Sequence, residues 1–242
     1  MSEYSKIIRN KEDMNSNTME ESLRAVRTNI RFCGDDIRVI CFTSVLPDEG
    51  KSTVVMKLAE SFATAGDKVL VIDTDMRKAV LVGRYRYQTS DGKNIIGLSQ
   101  YLSGQNELKE VIYDTENPNL SILFAGHNVA NATELLEKEY FKKLLETARQ
   151  EFDYILLDCA PMTAAIDAAI VAKEADGAIL VIAQDNVNAR AVTDSKNQLE
   201  ASGVRILGAI MNKVKMQKSS YYGNYYGNYY GSYYGNYGSK KK

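Results

Sequence analysis

The chain has 242 residues, 45% of them hydrophobic, which is enough for one sizeable core with appendages and too little for two full domains. Lysine plus arginine (30) nearly balance aspartate plus glutamate (31), so a formal charge of −1 gives no bulk attraction to nucleic acid or anionic lipid. The widely spaced Cys33, Cys41 and Cys159 outline neither a disulfide nor a zinc framework and read as reduced thiols; no apolar run reaches the roughly 18 residues needed to cross a bilayer, and residues 1–9 lack the apolar segment of a secretory signal.

A helix over residues 18–32 comes first and is expected to pack outward as an interaction arm. Strands are predicted over 39–43, 68–73, 154–158 and 177–183, with a fifth over 205–211. Each is a continuous β-branched or aliphatic run, the mark of a strand buried on both faces. Helical patterns over 51–65, 140–152, 167–175 and 187–202 lie between them, and the mixed polar and glycine-containing stretch 84–119 yields only a short helix at 98–102. This alternation predicts an α/β fold, an open and mostly parallel sheet with helices on both faces.

After Asn212 the composition changes. From Tyr221 the chain reads YYGN, YYGN, YYGS, YYGN, YG, with nine tyrosines and no valine, leucine or isoleucine. Glycine in every unit penalises helix and strand alike, and nothing aliphatic offsets the entropy of ordering, so the tail is expected to be disordered. The expected division is a domain over 1–214 and a tail over 215–242.

The stretch Ser44-Val45-Leu46-Pro47-Asp48-Glu49-Gly50-Lys51-Ser52-Thr53 joins the first of these strands to the helix beginning near Lys51. A phosphate-binding loop needs that context: backbone N–H groups and a helix N-terminus converge on the anion, Lys51 reaches the β and γ phosphates, and Ser52 offers its hydroxyl to Mg²⁺. The first glycine of the general pattern falls at Val45, so the match is incomplete. Two further strands end in acid, at Asp73-Thr74-Asp75-Met76-Arg77 and at Asp158. A strand-terminal aspartate alone is commonly a cap for the next helix. In an open parallel sheet, however, strand C-termini share one edge, so three acids and a phosphate loop meet where Mg²⁺ and a triphosphate need them.

With these residues in hand, the chain resembles the bacterial tyrosine kinases, of the type whose cytoplasmic kinase is a separate chain from its membrane-spanning activator. Residues 44–52, Asp73-Thr74-Asp75-Met76-Arg77 and Asp158 are similar to its Walker A, A′ and B motifs in order and spacing, and the likeness covers essentially the whole chain. It extends to Glu21-Ser22-Leu23-Arg24-Ala25-Val26-Arg27, similar to the glutamate and arginine signature with which the family assembles rings; Glu21, Arg24 and Arg27 would share one helix face. One departure is that Asp158 is followed by Cys159, Ala160 and a single Pro161, where the family usually has two prolines.

The resemblance implies a P-loop NTPase-like fold, ATP and Mg²⁺ as cofactors, and autophosphorylation of Tyr221, Tyr222, Tyr225, Tyr226, Tyr229, Tyr230, Tyr233, Tyr234 and Tyr237, in trans within a ring. It also implies a transmembrane activator, a phosphotyrosine phosphatase, control of capsule or exopolysaccharide synthesis and export, and a cytoplasmic location at the inner membrane face. No nucleic-acid partner is expected. Lys51 is assigned to the β and γ oxygens, and the N–H groups of Asp48, Glu49, Gly50, Lys51, Ser52 and Thr53 to cradling the phosphates. Ser52, Asp75 and Asp158 are the metal candidates and Asp73 the acceptor of the tyrosine proton. Arg77 is assigned to developing charge, or else to a structural ion pair, and Asn212 to adenine, or else to a cap.

If residues 205–211 form a parallel strand, the tail departs from the edge that carries the phosphate loop. A flexible linker of about 20 residues reaches roughly 25 Å. The alternative from another class is a deviant Walker positioning or scaffold ATPase without kinase activity; such proteins carry a lysine early in the loop, where this chain has Leu46.

Overall fold

The computed structural model describes residues 4–9 and 17–215; the expected tail over 215–242, with its nine tyrosines, lies outside them save for Lys215. In chain order the elements are β1 (Ser5–Arg9), α1 (Asn17–Arg31), β2 (Val39–Ser44), α2 (Lys51–Thr64), β3 (Val69–Asp73), α3 (Leu81–Tyr85), β4 (Tyr87–Thr89), α4 (Leu98–Leu102), α5 (Leu108–Val111), β5 (Ile112–Asp114), β6 (Leu120–Leu123), α6 (Ala132–Leu136), α7 (Glu139–Glu151), β7 (Tyr154–Asp158), α8 (Asp167–Lys173), β8 (Gly177–Ala183), α9 (Ala189–Ala201) and β9 (Ile206–Asn212).

The strands form one sheet in the order β4-β1-β5-β6-β3-β7-β2-β8-β9. From β6 to β9 every neighbouring pair is parallel. The expected α/β sheet is therefore present, and β2, β3 and β7 are buried along almost their whole length, as their unbroken apolar sequences require; β9, expected to be buried as well, is the edge strand and has no buried residue. Two antiparallel pairings, β5 with β6 and β1 with β4, extend the far side.

Each face of the sheet carries its own core. On one, Leu23 and Ile30 of α1 and Val55, Leu58 and Phe62 of α2 pack with Ile40, Phe42 and Val71. On the other, Leu98, Leu135, Phe141, Leu144, Val171 and Leu199, from α4, α6, α7, α8 and α9, cover Cys41, Leu70, Ile72 and Leu157. Of the α1 residues, Glu21 and Arg24 make an exposed i,i+3 pair at 3.6 Å, whereas Arg27 turns inward and Nη1 donates to the Ser61 carbonyl (2.5 Å) and hydroxyl (2.9 Å) of α2. The three therefore do not form one exposed ionic face, because a 100° step per residue carries Arg27 towards the buried stripe of Leu23 and Ile30.

The end of the sheet remote from the strand C-termini is tied by Asp176. Its Oδ2 accepts from the amides of Arg38 (2.9 Å) and Val39 (2.7 Å), and Arg149 donates to both oxygens at 2.9 and 2.7 Å. Burial opposes ionisation here, but the guanidinium and the two amides outweigh it and hold the carboxyl below its usual range.

Among the described residues, no helix is long and apolar enough to cross a membrane.

Candidate active site

The registry of β3 against β7 sets Asp73 directly beside Asp158, and β2 against β7 sets Phe42 beside the same residue. β3 and β7 thus finish level, β2 runs two residues further to Ser44, and the loop that follows it folds over the strand ends into α2. The first amides of a helix have no intrahelical partner, so the start of α2 presents N–H groups to the crevice. Two residues bend the loop through positive φ, Asp48 (62°) and Gly50 (87°). Gly50 is further constrained because a Cβ there would fall 2.2 Å from Asn212 Nδ2.

Lys51 and Ser52 are both buried, and Lys51 Nζ pairs with Asp158 Oδ1. Burial alone would lower the lysine; Asp158, and then Asp73, outweigh it and raise it. Asp73 is pushed well above the usual carboxylate range, first by burial and then by the Asp158 carboxylate, with Lys51 pulling the other way. Its Oδ1 accepts from the Asp75 amide at 3.1 Å, and Asp75 Oδ1 accepts from the Lys78 amide at 3.0 Å. Burial also raises Asp75. Among the described residues no three carboxylate, imidazole or thiol groups converge as a metal cage. The donors present are the Ser52 hydroxyl and the carboxylates of Asp75 and Asp158, hard oxygens suited to a magnesium ion whose other ligands are phosphate and water.

The expected loop and acids are therefore together, and Lys51, Ser52 and Asp75 line a pocket over the loop. Arg77 also lines it but is engaged: Nε and Nη2 donate to Asp167 at 2.7 and 3.3 Å, Nη2 to Thr133 Oγ1 at 2.8 Å, and Nη1 to the Ala130 carbonyl at 3.2 Å. Asp167, 3% exposed, anchors it, a role that a helix-starting aspartate nine residues past β7 did not advertise.

Asn212 closes β9 and donates from Nδ2 to the Glu49 carbonyl at 2.8 Å; Lys213 Nζ donates to the Asp48 carbonyl at 2.5 Å. The carboxylate of Glu49 accepts from the amides of Leu46 (2.9 Å) and Ala183 (3.0 Å), fastening the loop to β8. These supports were not foreseen, since no spacing in the sequence links residue 49 to 183 or 212. On the other side the Met162 and Thr163 amides bind the carbonyls of Ser44 and Val45 at 2.8 and 3.2 Å, joining the loop after β7 to the phosphate loop. Cys41 and Cys159, expected as separate core thiols, lie with their sulfurs 3.3 Å apart beneath the site.

A family model for an AAA domain matches residues 37–216. The tyrosine-protein kinase CpsD of Streptococcus pneumoniae is 41% identical over 210 residues, which is 85% of this chain and 91% of that protein. The chain belongs to the bacterial tyrosine-protein kinases. The kinase domain of the Escherichia coli tyrosine kinase ETK superposes with a TM-score of 0.73 at 31% identity, covering 83% of this tyrosine kinase and 79% of that domain. The fold is shared more widely: the septum site-determining protein MinD of Pyrococcus horikoshii, in complex with Mg-ADP, gives 0.60 at 26% identity over 75% of this kinase and 72% of MinD. The expected P-loop NTPase-like architecture is thus confirmed.

Proposed function

We propose that the chain transfers the γ-phosphoryl group of ATP to tyrosines of its own C-terminal tail, acting between copies in a homo-oligomer and serving capsule or exopolysaccharide production. The observation that carries this reading is the convergence of Lys51, Asp73, Asp75 and Asp158 at the mouth of one loop that is itself held by Asn212, the last residue before the chain turns towards its tail. The substrate is thereby tethered beside the site.

Lys51, released from Asp158 when phosphate arrives, holds the β and γ oxygens, with the loop amides around them. Asn212 is assigned to shaping the loop through its Nδ2 bond to the Glu49 carbonyl, and its oxygen and second N–H remain for the adenine. Ser52, Asp75 and Asp158 would hold Mg²⁺, whose charge neutralises the phosphates when bound. The apolar wall of Pro47, Val80, Ala160, Pro161 and Ala164 offers the tyrosine ring a surface. Asp73, its basicity increased by burial, takes the phenolic proton as the oxygen bonds to phosphorus and ADP departs. Arg77 acts through the Asp167 anchor, which keeps it at the pocket edge.

Glu21 and Arg24 remain the exposed candidates for contact between copies, and multiple phosphates on neighbouring tails would repel and loosen the assembly. A membrane-spanning activator and a phosphotyrosine phosphatase complete this reading. The likeness to MinD supports a positioning ATPase as the second reading; Leu46 in place of the early loop lysine, and the tyrosine tail, weigh against it.

Incubation with Mg-ATP, with and without an activating partner, followed by mass spectrometry, tests the proposal. Phosphate is expected on residues between Tyr221 and Tyr237 and absent in Lys51→Met. A tail without phosphate under both conditions defeats it.

A further inference from the structure

Four cations line the pocket over the phosphate loop: Lys51, Arg77, Lys78 and Arg84. Two are neutralised, Lys51 by Asp158 and Arg77 by Asp167. The other two are not. Among the described residues the Arg84 guanidinium has one partner, the neutral hydroxyl of Thr53, to which Nη1 donates at 3.1 Å. The Lys78 backbone binds Asp75, and its ammonium has no partner among the described residues. Both side chains are exposed at the pocket rim, one just past the acid-bearing loop and the other in α3. A triphosphate already has Lys51 and the loop amides. Asp48 and Asp75 also line the pocket, Asp75 being assigned to Mg²⁺, and the two rim cations, without an ion-pair partner among the described residues, therefore remain for the other reactant.

The tail supplies a candidate anion for this rim. Its tyrosines occur as adjacent pairs, Tyr221-Tyr222, Tyr225-Tyr226, Tyr229-Tyr230 and Tyr233-Tyr234, with only Tyr237 alone. After one transfer, the unmodified member of a pair sits next to a group of about −1.5 to −2 charge. Successive side chains leave an extended backbone on opposite faces. When one ring enters the pocket, its neighbour's phosphate is thus kept outside it, where only exposed side chains such as Lys78 and Arg84 can meet it.

We propose that Lys78 and Arg84 form an accessory phosphotyrosine subsite, so that a tyrosine pair already carrying one phosphate is a better acceptor than an unmodified pair. This rests on the tail-kinase reading above. The first phosphate then recruits the second to the same pair, and the product of early rounds is doubly modified pairs rather than phosphates scattered over the tail.

The test compares two acceptor peptides built on the repeat Tyr-Tyr-Gly-Asn, one unmodified and one with a single phosphotyrosine in each pair. Both are given to the full chain with Mg-ATP under the conditions that phosphorylate its own tail. The expected kcat/KM favours the primed peptide about tenfold, the size of two modest exposed charge contacts. That ratio falls towards one in Lys78→Gln/Arg84→Gln, whose melting curve serves as the folding control, and also falls in the unmodified enzyme when salt is raised. Equal use of the two peptides by the unmodified enzyme overturns the subsite, as does a preference that survives the double substitution. A raised KM for ATP in the variant with the preference intact assigns the rim to the nucleotide and likewise overturns it. Transfer to neither peptide instead defeats the kinase reading itself.

Discussion

Lys51 and Asp158 form an ion pair inside the protein, their side chains 8% and 2% exposed. Removing one partner leaves a charge buried without compensation, which costs on the order of 3 kcal/mol, whereas removing both does not. Lys51→Met and Asp158→Asn should each lower the urea midpoint, and the double variant should recover most of the loss while all three lack transfer activity. Additive destabilisation in the double variant would show that the pair does not act as a unit.

Glu49 is a support rather than a ligand: its carboxylate holds the amides of Leu46 and Ala183. Glutamine keeps one acceptor oxygen and sets an NH₂ against the other amide. The expected result for Glu49→Gln is a loss of about 1–3 kcal/mol in stability together with a KM for ATP raised roughly tenfold, the equivalent of about 1.4 kcal/mol in binding. An unchanged KM alongside reduced stability would disconnect this brace from the loop.

At Gly50 two constraints act together, a φ of 87° and the 2.2 Å approach of Asn212 Nδ2 to any Cβ. Asn212→Ala removes only the second, and a side chain in left-handed backbone still costs about 1–2 kcal/mol. Binding of a fluorescent ATP analogue should therefore fall at least tenfold in Gly50→Ala and stay low in Gly50→Ala/Asn212→Ala. Full recovery in the double variant would mean that the clash alone matters.

Asp176 supplies the pH dependence. The Arg149 guanidinium and the two amides hold its folded carboxyl below the ordinary carboxylate range, so the stability it contributes is complete above the unfolded value and is lost as pH falls through the lower folded one. Asp176→Asn should cost about 2 kcal/mol at pH 7, and the difference from the unmodified protein should begin to shrink only below about pH 4. Denaturant midpoints measured from pH 7 to pH 3 check this.

The thiols should separate by reactivity. Cys41 is held well above its ordinary value, first by its bond to Cys159 and then by burial, and both residues are fully buried, whereas Cys33 is partly exposed. A maleimide at pH 7 should label one thiol in the folded protein and three after unfolding.

Five strands and their helices were legible because their apolar runs are long and unbroken, as in 154–158 and 177–183, where expectation and structure coincide. β6, only Leu120–Leu123, is a core strand too short to stand out beside the turn at Asn117 and Pro118. β1, β4 and β5 exist through pairings with distant partners, Ser5 with Tyr113 for example, which no local pattern records. At the site, Gly50-Lys51-Ser52 and the strand-end acids were readable because chemistry fixes their types. Glu49, Asp167 and Asn212 were harder, because their tasks are defined by backbone groups that approach only after folding.

Chain order also dictates when this site comes into being. β2 and β3 do not touch each other; β7 lies between them, and Asp158 meets Asp73 and Lys51 only once that strand is inserted. On the ribosome, a polypeptide that has emerged through the phosphate loop and the first two acids still has a gap at the middle of its sheet. The assembled cluster therefore cannot exist before residues 154–158 are made, and the braces of its loop at Ala183 and Asn212 come later still, so a fragment ending before them lacks it however well its first hundred residues are made.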